Sequence, residues 1–253
     1  PADFVLHNSL FLIAHFHNTI IGGVVFGVLA GIVYWFPKAF GFRLDPFWGK
    51  MSFWCWFVGF YVAFMPLYVL GLMGVTRRLS QFEDTSLQIW FVIAAIGAAI
   101  IAVGIASFLL SIVFGFLKRE QLRDVTGDPF DGRTLEWSTS SPPPAYNFAF
   151  TPVVHDVDAW ADMKKRGAER PVDGFIPIHM PKNTGTGVIL SAISVALGFG
   201  LVWHIWWLAA ASMLAIIVVS IAHTFNYNRD YYIPAKDVAE VEAARTKLLA
   251  TQA

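Results

Sequence analysis

His15-Phe16-His17 lies inside an apolar run from Ser9 to Phe36 that contains no Asp, Glu, Lys or Arg. This placement limits the chain more than any other feature. A helix of about 20 apolar residues crosses a bilayer, and polar side chains within such a span are costly, facing the protein interior or a water-filled cavity where they carry function. On an α-helix each residue turns about 100° and rises about 1.5 Å. The two imidazoles therefore point to nearly opposite sides, about 3 Å apart in height, and cannot converge on one ion as residues three or four apart can. Each is offered to a separate neighbour.

A neighbour that accepts a neutral imidazole in apolar surroundings is a planar haem iron, which takes an axial histidine from a helix. One helix wedged between two haems accounts for both residues. The alternative is a pair of histidines hydrogen-bonding between helices. Gly22-Gly23 and the spaced Gly23, Gly27 and Gly31 permit close approach of another helix or of a flat ring.

Composition supports a membrane chain. Hydrophobic residues make up 56% and charged residues 14%, against roughly 25% charged in soluble domains, and the mean hydropathy is +0.56. The net charge is +0 and the cations form no basic stripe, so nucleic acid is not an expected partner; the lipid bilayer is. The single Cys55 excludes an intrachain disulfide framework and a thiolate pair for metal. Pro1-Ala2-Asp3 does not read as a signal peptide, and the chain reads as the C-terminal part of something longer.

Four uncharged blocks are long enough to span: Ser9 to Phe36, Met51 to Thr76, Ser86 to Leu117 and Thr184 to Asn226. The last is twice the length a bilayer core requires and must fold back. Gly198 and Gly200 followed by Trp203-His204-Ile205-Trp206-Trp207 mark a turn at the headgroup level, where Trp concentrates. The expected fold is an all-α integral membrane bundle of five transmembrane helices. Its expected divisions are 1–117 (a ligand helix and two further spans), 118–183 (a cytoplasmic loop), 184–226 (a two-helix hairpin) and 227–253 (a cytoplasmic tail). Pro66 reads as structural, and Ala94, Ala95, Gly97, Ala98, Ala99 and Gly104 make the third span a helix for close packing.

With five spans, sixteen of the eighteen Lys and Arg residues fall on one side, which the positive-inside rule assigns to the cytoplasm. Only Arg77 and Arg78 fall on the other, at the level of the histidines. Arginine offers a permanently charged fork matched to carboxylates, and haem propionates are carboxylates. The competing partners are lipid phosphate, Glu83 and Asp84.

His15-Phe16-His17, with Phe4-Val5-Leu6-His7-Asn8-Ser9 before it and Asn18-Thr19-Ile20-Ile21-Gly22-Gly23 after it, closely resembles the haem-ligand helix of subunit I of the haem-copper terminal oxidases, above all the cytochrome bo-type ubiquinol branch. The Thr76-Arg77-Arg78-Leu79-Ser80 segment and the run from Gly127-Asp128-Pro129 through Gly132-Arg133-Thr134-Leu135-Glu136-Trp137 to Pro142-Pro143-Pro144 resemble the same subunit. The resemblance implies a catalytic subunit of a respiratory terminal oxidase in the bacterial inner membrane, reducing dioxygen to water with electrons from ubiquinol coupled to proton translocation. It implies His15 as proximal ligand of a high-spin haem of o or a type, and His17 as one axial ligand of a low-spin haem of b type. Arg77 and Arg78 would lie over the propionates. The copper ligands, the second low-spin ligand and the quinol site would lie outside this chain, so no activity is expected from it alone. Partner subunits II, III and IV are implied.

Two alternatives stay open: a cytochrome c oxidase subunit I of the same fold, and a non-catalytic membrane subunit or transporter with packing histidines. In the cytochrome c branch the pair matching His7-Asn8 is a histidine and an aspartate that help hold magnesium. Asn8 removes the carboxylate a hard cation prefers. His155 and His179 are expected to be solvated, and His204 and His223 interfacial.

Overall fold

The structure is a computed structural model and describes residues 2–167 and 174–250. It divides into two compact units, one formed mainly by Pro1–Pro144 with Val153–Ala168, the other by Ala145–Pro152 with Glu169–Thr251.

In the first unit, a short helix α1 (Ala2–Leu6) leads to Ser9, whose Oγ accepts from Phe11 N at 3.2 Å and caps α2 (Leu10–Thr19). A π-helical segment, Ile20–Val25, joins α2 to α3 (Phe26–Phe40), giving an apolar rod of 31 residues from Leu10 to Phe40. Asp45 starts α4 (Pro46–Leu72): one carboxylate oxygen accepts from Phe47 N and Trp48 N, and the other takes Lys118 Nζ at 2.7 Å. Pro46 sits in the first turn, where its missing N–H costs nothing. α4 continues through the buried Pro66, and α5 runs over Gln88–Leu117.

α4 and α5 pack backbone to backbone, as the small residues of α5 foretold. A Cβ on Gly97 would stand 2.2 Å from Ala63 N and 2.5 Å from Ala63 Cα, and Ser52 Oγ crosses to Gly104 O at 2.9 Å. At the other end of α4, a Cβ on Gly71 would lie 2.1 Å from Phe11 N. That contact holds the start of α2 against the end of α4.

The 118–144 stretch caps the bundle at the end opposite the histidines. Phe36, Phe42 and Leu44 form a buried cluster with Phe108, Ile112 and Leu122 against it. Trp137 is fully buried beneath Lys38, whose Nζ donates to Thr139 O at 2.8 Å. The short helix α6 (Ala159–Arg166) is tied back through Asp128, which accepts from Gly132 N, Trp160 Nε1 and Lys164 Nζ. Burial raises the Asp128 carboxyl, but these three donors outweigh it and hold the group below its ordinary range.

In the second unit, β1 (Ile178–Pro181) pairs antiparallel with β2 (Asp230–Ile233), Ile178 opposite Ile233. The ribbon closes the base of a hairpin of α7 (Thr186–Val202) and α8 (Trp206–Thr224). The expected turn falls at Trp203-His204-Ile205, with His204 at φ +57°. Of the two glycines before it, Gly200 is the one the turn requires, since a Cβ there would lie 2.9 Å from Ala209 N, while Gly198 faces open space. α9 (Ala235–Ala250) buries Val238, and Tyr146 Oη donates to Glu242 at 3.0 Å.

The all-α membrane bundle is as expected, with one difference in helix length. Among the described residues four helices are long and apolar enough to cross a membrane, where five were expected: α7 has 17 residues, about 26 Å of helix, at the lower limit for a bilayer core of about 30 Å. Residues 178–181 of the expected loop pair with 230–233 of the expected tail. Residues 168–173 and 251–253 of those expected segments lie outside the described residues.

Candidate functional site

Both histidines lie on α2, and the local geometry gives them different surroundings. His17 Nδ1 lies 2.7 Å from Ile13 O. A carbonyl only accepts, so Nδ1 carries the proton and the Nε2 lone pair is left free, the tautomer that a metal-ligating imidazole adopts. Its ring stacks between Phe16, at 4.3 Å, and Phe64 of α4, at 4.6 Å and 17°. Asn18 Nδ2 donates to Tyr68 Oη at 2.8 Å, and Tyr68 meets Phe11 edge-on. Phe64 and Tyr68, one turn apart on α4, therefore hold the His17 side of α2.

His15 is exposed, and its imidazole has no hydrogen-bond partner among the described residues. The pair divides as an α-helix requires, one ring toward α4 and the other away from it. No three His, Cys, Asp or Glu side chains among the described residues come together to hold an ion. Each imidazole can offer a single bond, which suits a metal whose remaining ligands come from a macrocycle.

Arg77 and Arg78 follow α4 and come to the same end of the unit. Leu10 N donates to Val75 O at 3.0 Å, Arg77 N to Asn8 O at 3.1 Å, and Arg77 Nε to Asn8 Oδ1 at 2.9 Å. Ser9 and Thr76 form an isolated bridge between these segments. His15 and His17 lie about 8 and 11 Å along the helix from Leu10. Arg78 has φ +64°, in the left-handed region that non-glycine residues seldom occupy. Asp84 is engaged by Ser86 N at 2.9 Å, and neither arginine makes an ion pair among the described residues. The Glu83 and Asp84 alternative thus finds no support in the geometry.

Three of the other five histidines have local partners. His7 Nδ1 faces Asp3 O and Phe4 O in its own turn. His179 pairs with Asp230 at 2.7 Å across the β-ribbon, and His223 Nδ1 meets Thr186 Oγ1 at 3.0 Å between α8 and α7. Asn8, read from sequence only as a lost carboxylate, spends its oxygen on Arg77.

Sequence reasoning missed the π-helical segment directly after the histidines. The i→i+5 pattern inserts a residue and turns everything beyond it by about 100°, so Gly23, Gly27 and Gly31 do not form one straight stripe. Gly22, Gly23 and Gly27 face open space, and a Cβ on Gly31 would meet only its own Trp35. No described helix approaches at the first three.

Comparison with known proteins bears on this arrangement. Residues 1–100 match the family described as Cytochrome C and Quinol oxidase polypeptide I. The ubiquinol oxidase subunit 1 of Acetobacter aceti is 52% identical over the whole chain, which covers 39% of that protein. The cytochrome bo(3) ubiquinol oxidase subunit 1 of Buchnera aphidicola from Acyrthosiphon pisum is 52% identical over 96% of the chain and 37% of that protein. A probable cytochrome c oxidase subunit 1 of Bradyrhizobium diazoefficiens is 48% identical over the same shares. The chain spans under two fifths of the length of these curated relatives.

Proposed function

The chain belongs to the cytochrome c and quinol oxidase polypeptide I family, and from that premise we propose that it forms the ligand-helix part of the catalytic subunit of a terminal oxidase of the bacterial inner membrane. The complete subunit, in this reading, takes electrons from ubiquinol, reduces dioxygen to water and couples the reaction to proton translocation. It works with further oxidase subunits, II, III and IV.

The observation that carries the reading is the division of the two imidazoles. His17, its tautomer set by Ile13 O and its plane set by Phe16 and Phe64, is the axial ligand of a low-spin haem of b type. His15, unpartnered on the other side of α2, would hold a high-spin haem of o or a type as its proximal ligand, the copper ligands lying outside this chain. When bound, these groups supply reversible electron transfer at the first iron and oxygen reduction at the second with copper. The chain's own residues hold and orient. Stacking against Phe16 and Phe64 holds the plane of the His17 ring. One helix keeps the two ligands about 3 Å apart in height, on opposite sides. Arg77 and Arg78 neutralise propionates, and Asn8 orients Arg77.

The relatives named ubiquinol oxidases favour quinol as donor, whereas the Bradyrhizobium protein bears a cytochrome c oxidase name. Membranes carrying the complete subunit decide between them. Low-spin haem bands that appear on adding ubiquinol and not reduced cytochrome c support the proposal; the reverse pattern transfers it to the cytochrome c branch. The absence of any Soret band from the purified complete subunit would leave only packing histidines.

A further inference from the structure

Between α3, α4 and the Phe130 loop lies an apolar cavity of about 740 Å³, with Phe26, Trp56 and Phe108 in its lining. Its size is that of small-molecule sites. A second hollow of about 330 Å³ shares Val33, Gly49, Phe53 and Phe130 with it and carries Arg43, Asp45 and Lys50. The Asp45 charge is met by Lys118 at 2.7 Å. Arg43 and Lys50 are exposed and make no ion pair among the described residues. The small hollow is thus cationic and lies at the loop end of the helices, while the large one is greasy and lies deeper.

We propose that this two-part cleft seats one anionic phospholipid of the cytoplasmic leaflet. Its phosphate lies between Arg43 and Lys50, and an acyl chain passes Gly49 into the apolar cavity. An anionic head above a long apolar tail matches the order of the two hollows. The cytoplasmic leaflet is the one whose anionic lipids attract cations close to the membrane. The inference uses the orientation proposed from charge and is independent of which histidine serves which haem.

The test uses the complete purified oxidase in bilayer discs with photoactivatable phosphatidylglycerol or phosphatidylcholine, the crosslinked peptides being read by mass spectrometry. Phosphatidylglycerol should label peptides 26–35 and 49–56. Replacing both cations, Arg43→Gln with Lys50→Gln, should weaken that labelling on the order of 30-fold, from about 1 kcal/mol per cation. A Cβ on Gly49 meets nothing within 4 Å, so Gly49→Leu should close the passage without a clash and abolish labelling. Unchanged haem bands in both variants show that the fold is intact and that any loss is of lipid alone. Equal labelling by the neutral lipid, labelling that persists in Gly49→Leu, or no labelling of the parent protein, as when a haem tail or another helix fills the cleft, would each overturn the proposal.

Discussion

Arg77 Nε donates to Asn8 Oδ1 at 2.9 Å while Arg77 N donates to Asn8 O at 3.1 Å, so one residue before the ligand helix fixes both the main chain and the side chain of an arginine 69 positions later. The amide leaves the guanidinium's charge whole, where a carboxylate would have neutralised it. A hydrogen bond to a charged group contributes about 1.5–3 kcal/mol, and less at an exposed site such as this. Asn8→Ala should shift the midpoint potential of the low-spin haem, and Arg77→Leu should shift it further in the same direction, because it removes the charge itself. Redox titration of the complete oxidase checks this. Unchanged potentials and haem content in Arg77→Leu and in Arg78→Leu would return both residues to lipid contact.

The crossing of α4 and α5 leaves no room for a methyl at Gly97, since the nearest atoms are backbone and cannot rotate away. Overpacking of this kind costs about 1–3 kcal/mol. Gly97→Ala should therefore lower the melting temperature of the complete oxidase in detergent. Gly187→Ala, where the methyl meets nothing, should stay within about 0.5 kcal/mol of the parent.

Topology gives a sharper test because α7 is short. If 17 residues span, Val157 and Tyr227, both well exposed, lie in the cytoplasm. Neither Val157→Cys nor Tyr227→Cys, in a Cys55→Ser background, should then react with an impermeant maleimide outside intact cells. Labelling of Tyr227→Cys alone would mean that α7 does not cross.

Much of this was legible in the amino-acid order, for a physical reason. Burying charge in lipid is so costly that spans and charged ends separate along the sequence itself, and the 200° between His15 and His17 follows from helix geometry. The Asn8 to Arg77 bond was not legible, because it joins two polar residues through a contact that the Gly71 and Phe11 packing creates. The π segment at Ile20–Val25 was hidden in a pattern of glycines that reads equally well as α-helix. The β1 to β2 pairing rests on four residues on each side, too few for an alternation to stand out, and its partners are separated by the whole α7–α8 hairpin.

Tyr146 and Glu242 make the alkaline behaviour of the second unit specific. Burial first, and then the bond to the Glu242 carboxylate, push the phenol up from its ordinary value near 10 to about 12. A folded-state value above the unfolded one stabilises fully below pH 10, and the contribution disappears as pH rises through 12. Tyr146→Phe should cost about 1–2 kcal/mol at pH 8. The gap in melting temperature between parent and variant should close between pH 10 and 12; a gap that stays constant would show that the pair is not coupled to ionisation.

The separate duties proposed for His15 and His17 are the point on which the proposed function depends. One iron cannot reach both rings, and the structure turns one toward Phe64 and leaves the other unpartnered. His15→Ala should abolish turnover and carbon monoxide binding at the oxygen-reducing haem while the sharp low-spin bands persist. His17→Ala should remove the six-coordinate low-spin signal and leave a haem that binds carbon monoxide but receives no electrons from the donor. Because a missing ligand can also block haem insertion, total haem is measured beside each spectrum. Phe64→Ala, which removes the stacking partner and no ligand, should broaden the low-spin signal without touching carbon monoxide binding. If His15→Ala and His17→Ala damage the same spectral component and spare the other, the two rings do not serve two haems.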